Sequence, residues 1–375
     1  MDRSPVVDMR IRVLANAATA ATLLLASSVY GGPLDLAYRA DQFSYPISKA
    51  AANPKLPRSL DEYLPPPAPM AMPAIGVSNP TPDRPQHDVW DRVRAGFALP
   101  ALEGALVSNW QTWYVNRPQL LKVLLERSRR YVFHVVEELE KRGMPTEIVF
   151  LPMVESGYNP MALSSAKASG LWQFIPSTGK EYKLEQGLLR DGRRDVIAST
   201  AAALDYLQSL HERFGDWQLA LAAYNWGEGS VGKAIARNKA KGLPTEYKTL
   251  SMPQETRNYI PKLQALKNII ADPGAFKIEI EPVPNKPYFA TIASDRYIDV
   301  DIAAKLADVA LEEFLALNPG NNLNLISKSS RSQIVLPVEK MESFRINLEN
   351  YREPPKREKP VKDGQAGKKP RVPPN

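Results

Sequence analysis

Glu155 is the side chain whose setting most needs a chemical explanation. It follows Ile148, Val149, Phe150, Leu151, Pro152, Met153 and Val154, a run that is apolar at every position. Such a run is buried, so a carboxyl at its end loses the water that stabilises its charge. At the end of a helix it also meets the negative pole of the backbone dipole. Both effects raise its pKa. A carboxylic acid that keeps its proton near neutral pH can serve as a general acid, for instance toward the bridging oxygen of a glycosidic bond. The competing explanation is a structural Glu neutralised by one of the chain's many arginines.

Other residues suited to holding a sugar follow in order: Ser156 directly after Glu155, then Gly170-Leu171-Trp172-Gln173, then Ala223-Tyr224-Asn225, then Gln254 to Pro261 with Tyr259 inside it. Asn and Gln amides donate to and accept from hydroxyl and acetamido groups, and Tyr offers a ring face with a polar tip. In order and approximate spacing these segments resemble the motifs of the family 1 lytic transglycosylases: E-S, G-L-M-Q, A-Y-N and a later helix bearing a Tyr. Here Trp stands in place of Met, and the resemblance covers about Trp90 to Leu336.

The resemblance implies that Glu155 is the single catalytic acid and base, with Ser156 its hydrogen-bonding neighbour. Gln173 and Asn225 would contact the sugar and its N-acetyl group, Tyr224 and Tyr259 would line the cleft, and Gly170 would let backbone approach the ligand. The implied substrate is peptidoglycan, cut between N-acetylmuramic acid and N-acetylglucosamine without a cofactor, and closed to a 1,6-anhydro ring with the substrate's acetamido group replacing a second carboxylate. A goose-type lysozyme, which completes the same cleavage with water, and a non-catalytic cell-wall-binding protein are the alternatives. Taken alone, Tyr224 and Tyr259 also suit core packing, and Gln173 suits a loop-bracing hydrogen bond. Lys167 stands where the family usually has Gly, so that loop is expected to turn differently. Trp172 either widens the aromatic platform or plugs the core, and Trp226 is given no role.

Positioning these groups requires helices. An apolar stripe through Leu120, Leu121, Leu124, Leu125, Ser128, Tyr131, Val132, Val135, Val136 and Leu139 reads as one helix ending at Arg142-Gly143. Further helices are expected over Pro145 to Glu155, around Ile175 to Tyr182, over Asp195 to Arg213 with Asp195 as N-cap, Trp217 to Asn225, Ser230 to Lys239 and Pro253 to Ile270. No strand-and-helix alternation interrupts them, so residues 88–275 read as a mainly α domain with an N-terminal helical extension. The resemblance makes its fold lysozyme-like, of the goose-type and soluble lytic transglycosylase kind. Residues 287–340 read as a βααβ module: strands at Tyr288 to Ile292 and Gln333 to Leu336, helices at Val300 to Ala307 and Leu311 to Leu317. It resembles a LysM domain, whose members bind N-acetylglucosamine-containing glycans. Arg296-Tyr297-Ile298-Asp299 replaces the usual G-D-T-L, so the copy is diverged, and either glycan binding or a structural lid fits it.

Composition sets the outer bounds. The 375 residues contain no Cys and three His, which excludes disulfides, cysteine nucleophiles and a lipid on cysteine, and leaves little for an all-protein metal cage. His87, His134 and His211 form no H-E-x-x-H pairing, and Gly227-Glu228-Gly229 and Ser177 to Lys180 lack phosphate-loop spacing. Net charge is +7, but eight Lys or Arg against three acids between Arg352 and Asn375 supply most of it. Residues 341–375 therefore read as a solvated basic tail rather than a nucleic-acid surface. Arg3, Arg10 and Arg12, the apolar run Val13 to Ala26 and the small residues after it make 1–28 read as an export signal for the periplasm or cell envelope. Left uncleaved, that segment would associate with the membrane. Residues 29–87 hold Pro65-Pro66-Pro67 among many other prolines and read as an extended linker.

Overall fold

The computed structural model describes residues 87–293, 297–326 and 333–352. The expected export signal, almost all of the linker and the tail beyond Arg352 lie outside those residues. What is described is a mainly α domain carrying a small strand-and-helix module. Its helices are α1 (Val89–Ala95), α2 (Ala105–Val115), α3 (Pro118–Ser128), α4 (Val132–Lys141), α5 (Leu151–Ser156), α6 (Pro176–Glu181), α7 (Val196–Phe214), α8 (Trp217–Trp226), α9 (Glu228–Ala240) and α10 (Gln254–Ala271). Helix α10 packs on α2 and α8, and α8 packs on α7. Ala220, Leu221, Ala222 and Ala223 of α8 are fully buried, and the three alanines are small enough to let neighbouring helices approach closely. Asp195 caps α7 as expected, its side chain accepting from Ala198 N at 2.9 Å.

Two expected helices are divided. The stripe from Leu120 to Leu139 spans α3 and α4, separated at 129–131, where Tyr131 N turns back to Ser128 O at 2.8 Å. Tyr131 is buried, and its hydroxyl donates to Ala316 O at 2.8 Å. The turn lets both halves lay their apolar faces on one core. The segment from Pro145 divides into a 3-10 turn over Thr146–Phe150 followed by α5. Pro152 is the cause: with no N–H to donate, it costs nothing in the first turn of an α-helix, where that N–H would have no partner, and this favours a start of α5 at Leu151.

Helix α10 contains a proline and continues through it. Pro261 cannot donate to the Arg257 carbonyl four residues earlier, but the Tyr247 hydroxyl donates to that oxygen at 2.8 Å. A residue from a separate 3-10 turn thus replaces the missing helical bond.

In the module, β1 (Phe289–Ala293) pairs antiparallel with β4 (Gln333–Pro337), Thr291 opposite Val335, and β2 (Ile298–Asp299) pairs with β3 (Leu325–Ile326). Helices α11 (Val300–Leu306) and α12 (Leu311–Leu317) lie between them in sequence, in agreement with the expected βααβ outline. The tail does not begin at 341: Met341–Asn350 forms helix α13, with Phe344 and Leu348 in the module's core. Their i, i+4 spacing puts both on one face, a signal masked by the charged residues around them.

Candidate active site

Glu155 sits at the last turn of α5, 8% exposed, with its left-handed C-cap Gly157 ending the helix immediately beyond Ser156. The Tyr259 hydroxyl of α10 donates to Glu155 Oε1. Among the described residues no Lys or Arg ion-pairs with it, so the arginine-neutralised alternative does not hold here. Its pKa is pushed up to about 7, first by burial. The Tyr259 hydrogen bond opposes that rise, Glu255 adds to it, and Lys262 draws it down. The side chain therefore exchanges its proton near neutrality, as the apolar run before it implied.

Glu147 shows what a structural carboxylate looks like in the same fold. Fully buried, it accepts from Ala98 N at 2.9 Å and Leu99 N at 3.0 Å and pairs with Lys267 Nζ at 2.7 Å. Every lone pair of consequence is engaged. Glu155 has one hydroxyl.

Tyr224 and Tyr259 both belong to the surroundings of Glu155, which raises the pKa of each phenol after burial has done so. Tyr224 donates to Trp172 O at 2.8 Å, fixing its ring beside the loop that carries Gln173. Asn225 accepts from Thr256 Oγ1 at 2.8 Å through Oδ1, and its amide N–H groups have no partner among the described residues. Gln173, at φ 50°, donates to Gly170 O at 2.8 Å and Ala162 O at 3.3 Å, so the bracing bond is made while Oε1 has no partner among the described residues. Ser156 donates to Leu171 O at 2.8 Å and Pro152 O at 3.1 Å, joining α5 to the same loop rather than bonding the Glu155 carboxyl.

The loop itself explains several sequence features. Lys167 adopts φ 62°, holding the left-handed conformation that glycine would take more easily. Gly170, at φ 89°, is required for packing: a Cβ there would lie 1.9 Å from Arg193 O. The glycine makes room for protein backbone, not for a ligand. Trp172 is fully buried and donates to Thr200 Oγ1 at 3.0 Å, so it plugs the core.

Residues beyond the motif set also surround the site. Glu255, Tyr259 and Lys262 recur at i, i+4 and i+7 on α10, a spacing that puts them on one face. Lys262 Nζ lies 4.7 Å from the Trp110 ring centroid on α2. Tyr182, Tyr206 and Tyr224 form a row with ring centroids 5.1 and 5.4 Å apart. Tyr182 and Tyr206 lie in helical pattern and carried no motif signal. Of the histidines, His134 packs against Phe289 at 5.4 Å and His211 stacks on Trp217 at 4.1 Å. No helix among the described residues is long and apolar enough to cross a membrane.

Comparison with known proteins gives the following similarities. Residues 135–245 match the family described as Transglycosylase SLT domain, and residues 288–353 match Lytic transglycosylase MltD, LysM-like domain. Membrane-bound lytic murein transglycosylase D of Escherichia coli (strain K12) is 34% identical over 265 residues, covering 70% of this chain and 59% of that protein. A putative tributyltin chloride resistance protein of Alteromonas sp. (strain M-1) is 39% identical over 178 residues, 47% of this chain and 83% of the relative. A putative soluble lytic murein transglycosylase of Haemophilus influenzae is 37% identical over 116 residues, 30% of this chain and 19% of the relative. The chain thus spans 59% of the length of the Escherichia coli relative it matches.

Proposed function

This chain belongs to the lytic transglycosylases that carry an SLT domain, and from that premise we propose that it cleaves the β-1,4 bond between N-acetylmuramic acid and N-acetylglucosamine in peptidoglycan without adding water. The observation that carries this reading is Glu155: a buried carboxyl that accepts from one hydroxyl, forms no ion pair among the described residues and has its pKa pushed up to about 7. Protonated, it gives its proton to the bridging oxygen as the bond to the muramic C1 breaks. The carbonyl oxygen of the muramic N-acetyl group bonds to C1 and takes up the developing positive charge. Glu155, now ionised and steadied by the Tyr259 hydroxyl, then removes the proton from the C6 hydroxyl. The C6 oxygen displaces the acetamido oxygen at C1, and a 1,6-anhydro ring closes. One carboxyl serves both steps because the substrate supplies the nucleophile that a second carboxylate provides in other glycosidases.

Asn225 and Gln173 present amide atoms for the acetamido and hydroxyl groups, and the row ending at Tyr224 offers ring faces to successive sugars. The role that follows is cell-wall remodelling outside the cytoplasmic membrane, with residues 1–28 directing export. No cofactor takes part in this reaction.

Glu255 gives a second reading its basis. It interacts electrostatically with both Glu155 and Tyr259, and a carboxylate in that position could activate water for hydrolysis of the same bond. Mass spectrometry of digested sacculi separates the two, since the anhydro product is lighter by one water. The expected result is anhydro-muropeptides from the native protein and a loss of at least about 10²-fold in their release by Glu155→Gln, with the fold retained. Near-normal release by the folded variant would remove Glu155 from its role, and hydrated ends would favour the lysozyme reading.

A further inference from the structure

The C-terminal module is bonded to the catalytic domain at two separated places. At one of them Arg130 of the α3–α4 turn makes a bidentate pair with Glu313 of α12, Nη2 at 2.6 Å from Oε2 and Nε at 3.0 Å from Oε1, and Tyr288 donates to the same carboxylate at 2.7 Å. Leu317 and Val335 of the module join the core of the large domain rather than the module's own core. At the other the segment after α12 meets residues 187–195. Asp191 N donates to Gly320 O at 2.8 Å, Asn322 N donates to Leu189 O at 3.0 Å, and Asn322 Nδ2 donates to Gly187 O at 2.8 Å. That segment is itself tied down, because Asn318 exchanges two hydrogen bonds with the Val335 backbone, at 2.8 and 2.9 Å.

From residues 187–195 the bonds continue inward. Arg193 is buried and pairs with Asp191 through Nε at 2.9 Å and Nη2 at 2.7 Å. Its Nη1 donates to Lys167 O at 2.6 Å and Phe174 O at 3.2 Å, the two ends of the loop that contains Gly170 and Gln173. Its carbonyl is the atom against which Gly170 packs. A guanidinium has the rigid fork of donors needed to hold a carboxylate and two carbonyls at once.

We propose that the module is a positioning element for the sugar-contacting loop 162–174, acting through Gly320 and Asn322 on residues 187–195 and through Arg193 on the loop. Gly320 O and the N and Nδ2 of Asn322 are engaged with the catalytic domain, so a glycan bound at those atoms would have to displace them. The inference rests on the reading of Gln173 and its loop as part of a glycan cleft. Arg193 and Asn322 touch no reacting atom, and they act through the geometry of others.

The test uses the full chain with Asn322→Ala, Arg193→Lys and, as a control, Lys340→Ala, which removes an exposed pair with Asp308 inside the module. Amide hydrogen exchange of Ser169 and Gly170, which donate to Phe174 O and Ala162 O, reads the loop without reference to activity. Asn322→Ala is expected to speed exchange at both amides by about fivefold or more while amides inside α7 keep their rates. With soluble glycan strands, Asn322→Ala and Arg193→Lys are expected to raise KM by about three- to tenfold with kcat within about twofold, the pattern of lost uniform binding. Lys340→Ala moves neither readout. Unchanged exchange at Ser169 and Gly170 in Asn322→Ala overturns the mechanical link, and faster exchange with unaltered KM overturns the positioning role. If exchange responds as expected but the native protein cleaves no glycan, the link stands and the proposed activity falls. Should Arg193→Lys fail to fold, Asn322→Ala alone decides.

Discussion

At the scale of single residues, burial with no ion pair among the described residues separates Glu155 from Glu147. Glu147 is held by a lysine and two backbone amides, whereas Glu155 has, among the described residues, a single phenolic donor. That donor favours the ionised form, so removing it raises the pKa of Glu155 above about 7. For Tyr259→Phe the fraction of protonated acid then persists to higher pH. The alkaline limb of kcat/KM against pH is expected to move upward, while kcat falls about tenfold or more, the loss of a hydrogen bond to a charged group at ~1.5 kcal/mol or above. A limb that stays in place or moves to lower pH would mean that the hydroxyl does not act on Glu155. A lowered melting temperature with unchanged turnover per folded molecule would assign Tyr259 to packing alone.

At the scale of elements, the loop between α5 and α6 is the least ordinary backbone near the site. Lys167 and Gln173 both adopt positive φ without being glycine, and Gly170 lies against Arg193 O where no Cβ fits. Such conformations persist only where the surroundings over-determine them, and here Ser156, Arg193 and Tyr224 all donate to carbonyls of the loop. Gly170→Ala is expected to cost about 2 kcal/mol or more, since neither the φ nor the backbone contact can relax cheaply, and to weaken glycan binding with it. Chemical denaturation of the variant checks the first part. A cost within ~0.5 kcal/mol would show that Arg193 and the loop separate easily. Helix α10 shows a different solution, in which Tyr247 supplies the bond that Pro261 withholds.

At the scale of the whole molecule, the shared core decides how the chain unfolds. Leu317 and Val335 pack with the large domain, and the Arg130–Glu313 pair and the 318–322 contacts join the module to it as well. Separating the module would expose those apolar side chains and break a partly buried ion pair. Calorimetry of the full chain is therefore expected to show one cooperative transition for the catalytic domain and module together. Two resolved transitions, with the module melting first, would mean that the junction contributes little. Attraction of the basic residues between Arg352 and Asn375 to anionic wall polymers would add to retention on sacculi, and that share would fade as salt rises.

What the sequence determined by itself was local. The apolar run ahead of Glu155, the Asp195 cap, the helical periods and the order of the E-S, G-L-W-Q and A-Y-N segments are all properties of neighbours in the chain, and burial of Glu155 followed from them. Which faces meet is not a local property. Only the tertiary structure brought Tyr259, more than a hundred residues away in the chain, onto Glu155. It also sent Trp172 to the core beside Thr200, turned the chain at Tyr131, and gave Arg193 and Asn322 their partners. A period of 3.6 residues says that a helix has an apolar face, and the same period is satisfied whichever neighbour covers it. Residues 341–350 show the limit from the other side: only against the module does the spacing of Phe344 and Leu348 become a helix rather than part of a charged tail.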